Sequence, residues 1–327
     1  MDSATILDFM EMKDFQPAIS LIQNAKNVLI VSHKRPDGDT LGASVAVQLA
    51  LAQLGKKSVL ACVDEIPSRL SFIPKTESFV KEFNLEAFDL IIINDAGAHH
   101  MTGFHEKYPD FLSKRIPIIN IDHHLSNDGF GTINLIDTNA SCASMIVWKL
   151  IKMLPVQITK EMALALLAGI YNDTGGFMHA NTTQESFEIS AELCKTGVKV
   201  TDVVRPLFKR STLPQLRLWG FVLENMHIND NKVLSSVVSK ADLYEMGAHS
   251  SDTGGIIDLM NNVAGVKFSM LLAEDDGLVK GSMRTQRDDI NLDEIAGQFG
   301  GGGHRKAAGF RINGRLEKQV VWKVVQE

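Results

Sequence analysis

Short runs of apolar residues alternate with helical patterns through the first half of the chain. Four runs, each about the length of one strand, predict strands at 28–31, 58–63, 90–93 and 116–121. Residues that are apolar at helical spacing predict helices at 40–54, where Gly55 follows, and at 140–154 and 160–171. Continuous apolar strands separated by helices are typical of a mostly parallel sheet flanked by helices. The pattern therefore predicts an α/β fold.

The pattern changes in the second half of the chain. Residues 182–225 are mostly helical in character, with Pro206 and Pro214 as expected breaks. Beyond them, strands are predicted at 232–239, 266–272 and 278–285, and a short helix at 291–299 leads into four glycines and His304. We therefore expect a first domain over 1–205, a linker or hinge over 206–224, and a smaller α+β domain over 225–327.

Composition excludes several classes of protein. The chain has 327 residues, of which 45% are hydrophobic and 22% charged, so it is not a mostly disordered chain. Its three cysteines, Cys62, Cys142 and Cys194, lie far apart, which argues against a disulfide framework and a thiolate metal site. The N-terminal segment is acidic, and no apolar stretch reaches the ~20 residues that span a bilayer. These features predict a cytoplasmic protein without a membrane anchor.

Charge is distributed unevenly along the chain. The net charge is −6, yet residues 280–327 contain nine Lys/Arg against six Asp/Glu. An acidic body with a basic C-terminal region suits a metal site that receives small anions beneath a basic lid, although an ordinary solvated surface explains the same imbalance. A groove for long single strands requires basic residues interleaved with stacking aromatics. Three Trp and three Tyr give little evidence of one.

Polar residues follow directly after three of the predicted strands. Ser32-His33 and, a few residues later, Asp37-Gly38-Asp39 follow the first, Asn94-Asp95 the third, and Asp122-His123-His124 the fourth. Ligands of open parallel sheets bind outside the carboxyl ends of the strands, so these segments should meet at one edge. Asp173, at the end of a predicted helix, can add a further carboxylate.

Mixed histidine and carboxylate ligands without cysteine favour Mn²⁺, Mg²⁺, Fe²⁺ or Co²⁺ over a structural zinc. Six candidate ligands are too many for one open catalytic ion, whereas two ions about 3.5–4 Å apart would use them all. Such a pair lowers the pKa of water to give a bridging hydroxide and neutralises a phosphate under attack. The candidate ligands are His33, Asp37, Asp39, Asp95, His123 and Asp173. Taken singly, each segment also fits a turn, a surface histidine pair or a helix C-cap.

Four segments, HKRPDGDTLGA, NDA, DHH and NDTGG, resemble in this order the motifs of the DHH phosphoesterase superfamily. GQFGGGGHRKAAGF near the C-terminus resembles the signature of its accessory domain, DHHA1. The length and the glycine-rich segment are similar to those of the bacterial oligoribonuclease (nanoRNase) and pAp phosphatase group. That group includes phosphodiesterases acting on cyclic di-AMP or on its linear product, pApA.

The resemblance implies a role for each candidate residue. Two Mn²⁺ ions would be bound, with Asp95 bridging them; His33 and Asp37 would hold one ion, and Asp39, His123 and Asp173 the other. His124 would contact the scissile phosphate, and Asp122 would orient the histidines. Relatives commonly carry an arginine several residues after the second-motif Asp, but residues 96–101 contain none. His99 and His100 are either its replacement or a solvated loop pair.

The C-terminal segment suggests a second anion site. Consecutive glycines allow successive backbone N–H groups to point into one concavity, a nest suited to phosphate oxygens. This predicts a substrate-binding site at Gly301, Gly302 and Gly303 with His304 at its edge, although a flexible linker is the alternative. Arg284 matches the family's substrate arginine, and alternation places it on one strand face with Lys280 and Ser282.

These observations predict a two-domain Mn²⁺-dependent phosphodiesterase and phosphatase for very short 5′-phosphorylated oligoribonucleotides such as pApA, and for pAp. The second domain would close over the substrate and grip its terminal phosphate, which would exclude long strands and duplexes. The alternatives are a cyclic di-AMP phosphodiesterase, a RecJ-like single-strand exonuclease, a polyphosphate or pyrophosphate hydrolase, and a nucleotide-binding regulator without catalysis. The sequence leaves monomer and homodimer equally open.

Overall fold

The computed structural model describes residues 12–113, 115–208 and 211–317. The chain divides into two compact units, Met1–Arg210 and Ser211–Glu327. Residues 1–11, which belong to the acidic N-terminal segment, and 318–327, the end of the expected second domain, lie outside the described residues.

The first unit is built on a five-stranded parallel sheet. Its helices are α1 (Gln16–Asn24), α2 (Gly38–Gln53), α3 (Phe104–Lys107), α4 (Ala143–Lys152), α5 (Lys160–Asp173), α6 (Gln184–Cys194) and α7 (Val200–Phe208). Its strands are β1 (Asn27–Ser32), β2 (Lys57–Ala61), β3 (Leu90–Asn94), β4 (Ile118–Asp122) and β5 (Ile133–Ile136). They lie in the order β2-β1-β3-β4-β5, and every neighbouring pair is parallel. The predicted α/β fold is confirmed.

Both faces of this sheet are buried, which explains why its strands are continuous apolar runs. In β1, Val28 and Ile30 pack into one hydrophobic core, while Leu29 and Val31 pack into another on the opposite face. All four side chains are 0% exposed. Alternate residues of a strand point to opposite faces, so a strand that is covered on both sides needs apolar residues at every position.

Helix α2 is buried along most of its length, and its start is fixed by a cap. The Asp37 side chain accepts hydrogen bonds from the backbone N–H groups of Asp39 and Thr40, at 2.9 and 3.2 Å. Gly55, beyond the end of the helix, has φ +70°. Helix α2 therefore begins at the edge of the sheet where β1 ends.

Helices α2 and α5 approach each other closely because two glycines lie between them. A Cβ on Gly42 of α2 would lie 2.2 Å from the carbonyl oxygen of Ala165 in α5, and one on Gly169 of α5 would lie 2.7 Å from Oδ1 of Asp39 in α2. Neither position has room for a side chain. The start of α2 and the end of α5 are thus held against each other.

Four local features of the first unit differ from expectation. Helices α1 and α3 and strand β5 have no counterpart among the predicted elements, and β5 is a four-residue strand that is only partly buried. Pro206, expected as a break, lies inside α7. It removes one backbone donor near the end of the helix, while Val203 and Leu207 of α7 pack against the core. This burial keeps the helix continuous.

The second unit is a smaller α+β arrangement around a six-stranded sheet. Its helices are α8 (Leu213–Glu224), α9 (Lys240–Met246), α10 (Ile256–Met260) and α11 (Leu292–Gly297). Its strands are β6 (His227–Ile228), β7 (Val233–Val238), β8 (Phe268–Asp275), β9 (Leu278–Arg284), β10 (Gly302–His304) and β11 (Ala307–Asn313). They lie in the order β10-β11-β9-β8-β7-β6, and all described neighbours are antiparallel except β7 and β8. The predicted second α+β domain is confirmed.

Helix α8 occupies most of the stretch expected as a linker. Its Leu218 and Val222 are 0% exposed and belong to the hydrophobic core of the second unit. Pro214, expected as a break, stands in the first turn of α8, where its missing N–H costs no helical hydrogen bond. Across the described parts of the chain, every helix is too short or too polar to cross a membrane.

Candidate metal centre

The carboxyl ends of β1, β3 and β4 bring the predicted ligands to one edge of the parallel sheet. His33 follows the last residue of β1, Asp95 follows the last residue of β3, and His123 follows the last residue of β4. Helix α2 begins at the same edge with Asp37 and Asp39, and α5 ends there with Asp173. The sheet topology thus gathers side chains that are up to 140 residues apart in sequence.

Asp95 lies at the centre of this cluster, and its two oxygens face different histidines. Oδ2 lies 3.3 Å from Nε2 of His33, whereas Oδ1 lies 3.5 Å from Nε2 of His123. His33 Nε2 is also 3.9 Å from Oδ1 of Asp37, and His123 Nε2 is 3.2 Å from Oδ2 of Asp173. One carboxylate therefore separates two groups of potential ligands.

The ligand atoms form overlapping sets in which each atom lies within 4.8 Å of the others. The sets are His33, Asp37 and Asp95; Asp39, His123 and Asp173; and Asp95, Asp122, His123 and His124. The first two sets divide the six candidate ligands as the family resemblance implies. Oδ1 of Asp95 is buried and has no hydrogen-bond partner among the described residues. A buried carboxylate oxygen without a donor is suited to a cation, so the residues present fit divalent metal.

Asp39 has a structural contact that its sequence position did not reveal. It is fully buried, and its oxygens accept hydrogen bonds from the backbone N–H groups of Ala143 and Ser144, at 2.6 and 2.9 Å. These groups lie at the start of α4, where unpaired N–H groups favour a negative charge. The same carboxylate faces the cluster and anchors α4.

The backbone of Asp95 has an unusual conformation. Its φ is +59°, in the left-handed region that costs most residues about 1–3 kcal/mol. Aspartate tolerates this region better than most side chains do. The N–H of Asp95 donates to the carbonyl of Ile121 at 2.8 Å, which fixes the turn after β3 against β4. This backbone conformation places the Asp95 carboxylate at the edge of the sheet.

Burial disfavours the charged form of the carboxylates in the cluster. Burial and the charge of Asp95 raise the pKa of Asp37 to about 6 and hold the pKa of Asp39 well above its ordinary value. Burial alone would lower the pKa of His33 and raise that of Asp95. Their contact, with the charge of Asp37, raises the pKa of His33 to about 10, and contacts with His123 and His33 lower the pKa of Asp95 overall. These carboxylates require positive charge beside them, which divalent cations supply.

Asp122 and His124 form a pair beside the cluster. Oδ1 of Asp122, which is 0% exposed, lies 2.7 Å from Nδ1 of His124. The His124 side chain is 23% exposed, against 10% for His33 and 9% for His123. Burial lowers the pKa of His124, but the hydrogen bond to Asp122 raises it above its ordinary value overall. His124 is therefore the histidine of the cluster that solvent reaches most easily.

A layer of buried hydroxyl and amide groups lies beneath the cluster and was not predicted. Thr40 accepts from the N–H of His33 and donates to the carbonyl of Asn94, at 3.3 and 2.9 Å. Oγ of Ser44 lies 2.9 Å from Oγ of Ser32 and accepts from Asn94 at 3.1 Å. These bonds join α2 to the ends of β1 and β3. Polar residues four apart in an otherwise apolar helix were the available signal.

His99 and His100 lie in a 3-10 helix over His99–Thr102, in the connection after β3. Nδ1 of His99 is 4.0 Å from Oδ2 of Asp128, and its ring contacts those of His105 and Phe130, with centroids 5.7 and 6.2 Å apart. This places His99 beside the loop that follows His124.

In the second unit, Arg284 and His304 lie on one row of the sheet. Arg284 of β9 pairs with Ala307 of β11, and Ala307 pairs with His304 of β10. Directly paired residues share a face, so a small alanine separates the two predicted phosphate-binding side chains. Nε of Arg284 donates to Oδ1 of Asp258 at 2.9 Å.

Two of the three glycines predicted to form a nest use their backbone N–H groups within the second unit. Gly301 donates its N–H to the carbonyl of Ala296, and Gly303 donates its N–H to Oδ1 of Asp293, each at 2.9 Å. A Cβ on Gly301 would lie 2.2 Å from the carbonyl oxygen of Gly309, and one on Gly303 would lie 2.5 Å from that of Ala307. Glycine is required because β10 passes so close to β11. The small residues 307–309, which follow shortly after His304, are part of β11.

Comparison with known proteins matches the two units to two domain families. Residues 27–170 match the DHH family, N-terminal domain, and residues 230–327 match the DHHA1 domain. The bifunctional oligoribonuclease and PAP phosphatase NrnA of Thermus thermophilus is 32% identical over 306 residues, covering 91% of this chain and 88% of that protein. NrnA of Bacillus subtilis is 25% identical over 289 residues, covering 87% of this chain and 89% of that protein.

Two further relatives extend the comparison. A solved structure of an exopolyphosphatase-related protein from Bacteroides fragilis has a TM-score of 0.87 at 25% identity, covering 95% of this chain and 94% of that chain. The cyclic-di-AMP phosphodiesterase GdpP of Geobacillus thermodenitrificans is 26% identical over 327 residues, covering 92% of this chain and 47% of that protein. The four motif segments occur in the order expected for this family, and they meet at one edge of the sheet. The similarity to NrnA and the two domain matches agree with both observations. The chain belongs to the DHH family of metal-dependent phosphoesterases and carries the DHHA1 domain in its second unit.

Proposed function

We propose that this protein hydrolyses very short 5′-phosphorylated oligoribonucleotides such as pApA, and pAp, with two divalent metal ions. The observation that carries the proposal is the position of Asp95, whose two oxygens face two separate groups of ligands. The names of the NrnA relatives, which match nearly the whole chain, support the substrate class.

The residues divide into two ligand sets around Asp95. His33 and Asp37 would hold one ion with Asp95, and the three remaining ligands would hold the other: Asp39, His123 and Asp173. When bound, the ions would lower the pKa of an attacking water and neutralise the substrate phosphate. Histidine and carboxylate ligands without cysteine suit Mn²⁺ in particular, with Mg²⁺, Co²⁺ and Fe²⁺ as alternatives.

His124 would act on the substrate rather than on the metals. Asp122 holds Nδ1 of His124, and we assign the contact with the scissile phosphate to the other ring nitrogen, Nε2. Its greater exposure relative to His33 and His123 supports this assignment. Asp122 fixes the orientation of the ring and favours its protonated form.

The second unit would bind the terminal phosphate of the substrate. Arg284 and His304 lie on one face with only Ala307 between them, and an arginine and a histidine are suitable donors to a phosphate. Gly301 and Gly303 would support this site by letting β10 lie close to β11. Gly302 would lie beneath the bound phosphate. A grip on the terminal phosphate would favour short substrates.

The test is hydrolysis of a matched panel in Mn²⁺: pApA, a pentanucleotide RNA, an RNA of about 24 nucleotides, pAp, cyclic di-AMP and inorganic polyphosphate. We expect turnover to concentrate on the short linear nucleotides and on pAp. Dominant cleavage of cyclic di-AMP would favour the activity named for the GdpP relative. Dominant cleavage of the long RNA would refute the role of the terminal phosphate, and dominant cleavage of polyphosphate would refute the nucleotide substrate.

A further inference from the structure

Asn127 joins three segments that border the metal centre. Its Nδ2 donates to Oδ2 of Asp122 at 2.6 Å and to the carbonyl of Ala96 at 3.1 Å. Its Oδ1 accepts from the N–H of Gly129 at 2.9 Å and from Nδ2 of Asn120 at 3.0 Å. One amide thus connects the end of β4, the turn after Asp95, and its own loop.

The bond to Asp122 is the contact with a functional consequence. Asp122 is 0% exposed, and its two oxygens have different partners: Oδ1 meets Nδ1 of His124, and Oδ2 meets Nδ2 of Asn127. Burying a carboxylate is costly unless its oxygens are hydrogen-bonded or paired with a cation. Because both oxygens are bonded, rotation of the carboxylate would break hydrogen bonds. The ring of His124 is therefore held in one orientation.

The bond to Ala96 adds a second constraint. Ala96 is buried directly after Asp95, whose left-handed backbone brings its carboxylate into the cluster. Asn127 bonds Asp122, which holds His124, and it also bonds the carbonyl of Ala96, which follows Asp95. It therefore fixes the spacing between His124 and Asp95.

We propose that Asn127 is a positioning residue that acts through Asp122 to hold His124 in the orientation required at the substrate phosphate. This inference rests on the proposed role of His124. Asn127 itself touches neither the predicted metal ligands nor, as proposed, the substrate.

The neighbouring asparagine Asn134 offers a matched control. Its Oδ1 accepts from Asn120 and from the N–H of Gly131, at 3.0 and 2.9 Å, and its Nδ2 donates to the carbonyl of Gly131. It therefore belongs to the same amide network as Asn127, and its hydrogen bonds among the described residues do not include Asp122. A general weakening of the loop would affect both asparagines, whereas of the two only Asn127 bonds Asp122, the residue that holds His124.

The decisive variant is Asn127→Asp, which keeps the shape of the side chain and replaces the donor to Asp122 with an oxygen. We expect kcat on pApA to fall about 10–100-fold, with KM and Mn²⁺ affinity changed by less than about threefold. Asn134→Asp, the same exchange at the control position, should keep kcat within about threefold of the parent. In ¹⁵N NMR spectra, the Nδ1–H signal of His124 should move or broaden in Asn127→Asp and remain in Asn134→Asp.

A double-mutant cycle distinguishes positioning from stability. If Asn127 acts through His124, adding Asn127→Asp to His124→Ala should cause little further loss of kcat. Additive losses, equal losses in the Asn134 variant, or an unchanged His124 signal would overturn the inference. Its failure is separable from failure of the proposed function: if His124→Ala alone keeps the parent's kcat, the assignment of His124 is wrong, and the substrate panel tests the activity itself.

Discussion

The sheet edge that holds the candidate metal ligands and the β10–β11 segment of the second unit both consist of short polar or glycine-rich motifs. They differ in whether side chains or backbone groups would carry the chemistry. At the first, side chains carry it, and the parallel sheet forces Asp95 and His123 to one edge. At the second, the prediction concerned backbone N–H groups, and those of Gly301 and Gly303 are engaged within the unit. A motif predicts side-chain location well, whereas the availability of a backbone donor depends on tertiary contacts, here with Ala296 and Asp293 of α11.

The largest effect is expected from removing the charge of Asp95, which lies at the centre of the candidate metal ligands. Asp95→Asn should lower kcat on pApA by about 10³-fold or more, because both ligand groups lose the carboxylate between them. Asparagine tolerates the left-handed φ of +59° at this position, so the backbone should be preserved. Steady-state kinetics and titration of Mn²⁺ binding measure the effect.

Thermal unfolding is the control for Asp95→Asn. The core of the first unit is formed by apolar residues on both faces of the sheet, so the unfolding temperature should change little. The same reasoning predicts that a chelator abolishes turnover without unfolding the protein. A variant that kept a tenth of the parent's kcat would show that Asp95 does not bridge two ions.

A smaller effect is expected from a side chain of the second unit. Arg284→Ala should reduce kcat/KM on pApA by about 10–100-fold, because a hydrogen bond to a charged group contributes about 1.5–3 kcal/mol. Dinucleotides without the 5′-phosphate should be nearly unaffected. Arg287→Ala is the matched control, since Arg287 is a half-exposed arginine whose guanidinium pairs with Asp289. Equal losses on phosphorylated and unphosphorylated substrates would contradict the phosphate-binding role of Arg284.

The smallest effect tests why the glycines are present. Gly301→Ala should destabilise the second unit by about 1–3 kcal/mol, because its Cβ would lie 2.2 Å from the carbonyl oxygen of Gly309. Gly302→Ala should be nearly neutral, since the nearest atom to its Cβ is 3.4 Å away. Hydrogen–deuterium exchange over residues 300–313 measures the difference. If Gly302→Ala instead weakened pApA binding while Gly301→Ala left the unit stable, the glycines would serve the phosphate through their backbone.

The sequence predicted much of the fold because the sheet of the first unit is buried on both faces. Continuous apolar runs then coincide with β1, β3 and β4 to within two residues at each end. Hydrophobic patterning does not predict strands that are only partly buried, such as β5. It also fails where tertiary packing outweighs a local preference, as at Pro206 in α7. Residues 307–309 form a strand because β9 lies beside them, which composition cannot indicate.

For the candidate site, the sequence located the side chains but not the bonds that support them. The ligand groups around Asp95 were predictable from strand ends and from the family resemblance. The anchoring of α4 by Asp39 joins residues 104 positions apart, and no local pattern encodes that contact. Asn127 was missed because a polar residue in a loop has no distinctive spacing. Its role depends on how the loop folds back onto Asp122.

The close contact of α2 with α5 links the interior of the first unit to its chemistry. Asp39 stands in the first turn of α2 and Asp173 at the end of α5, so the separation of the two helices sets the span between these carboxylates. Gly42 and Gly169 fix that separation, although neither is a candidate ligand. In the proposed site, preference among cations of different radius would therefore depend partly on helix packing, and residues remote from the solvent-facing edge would contribute to it.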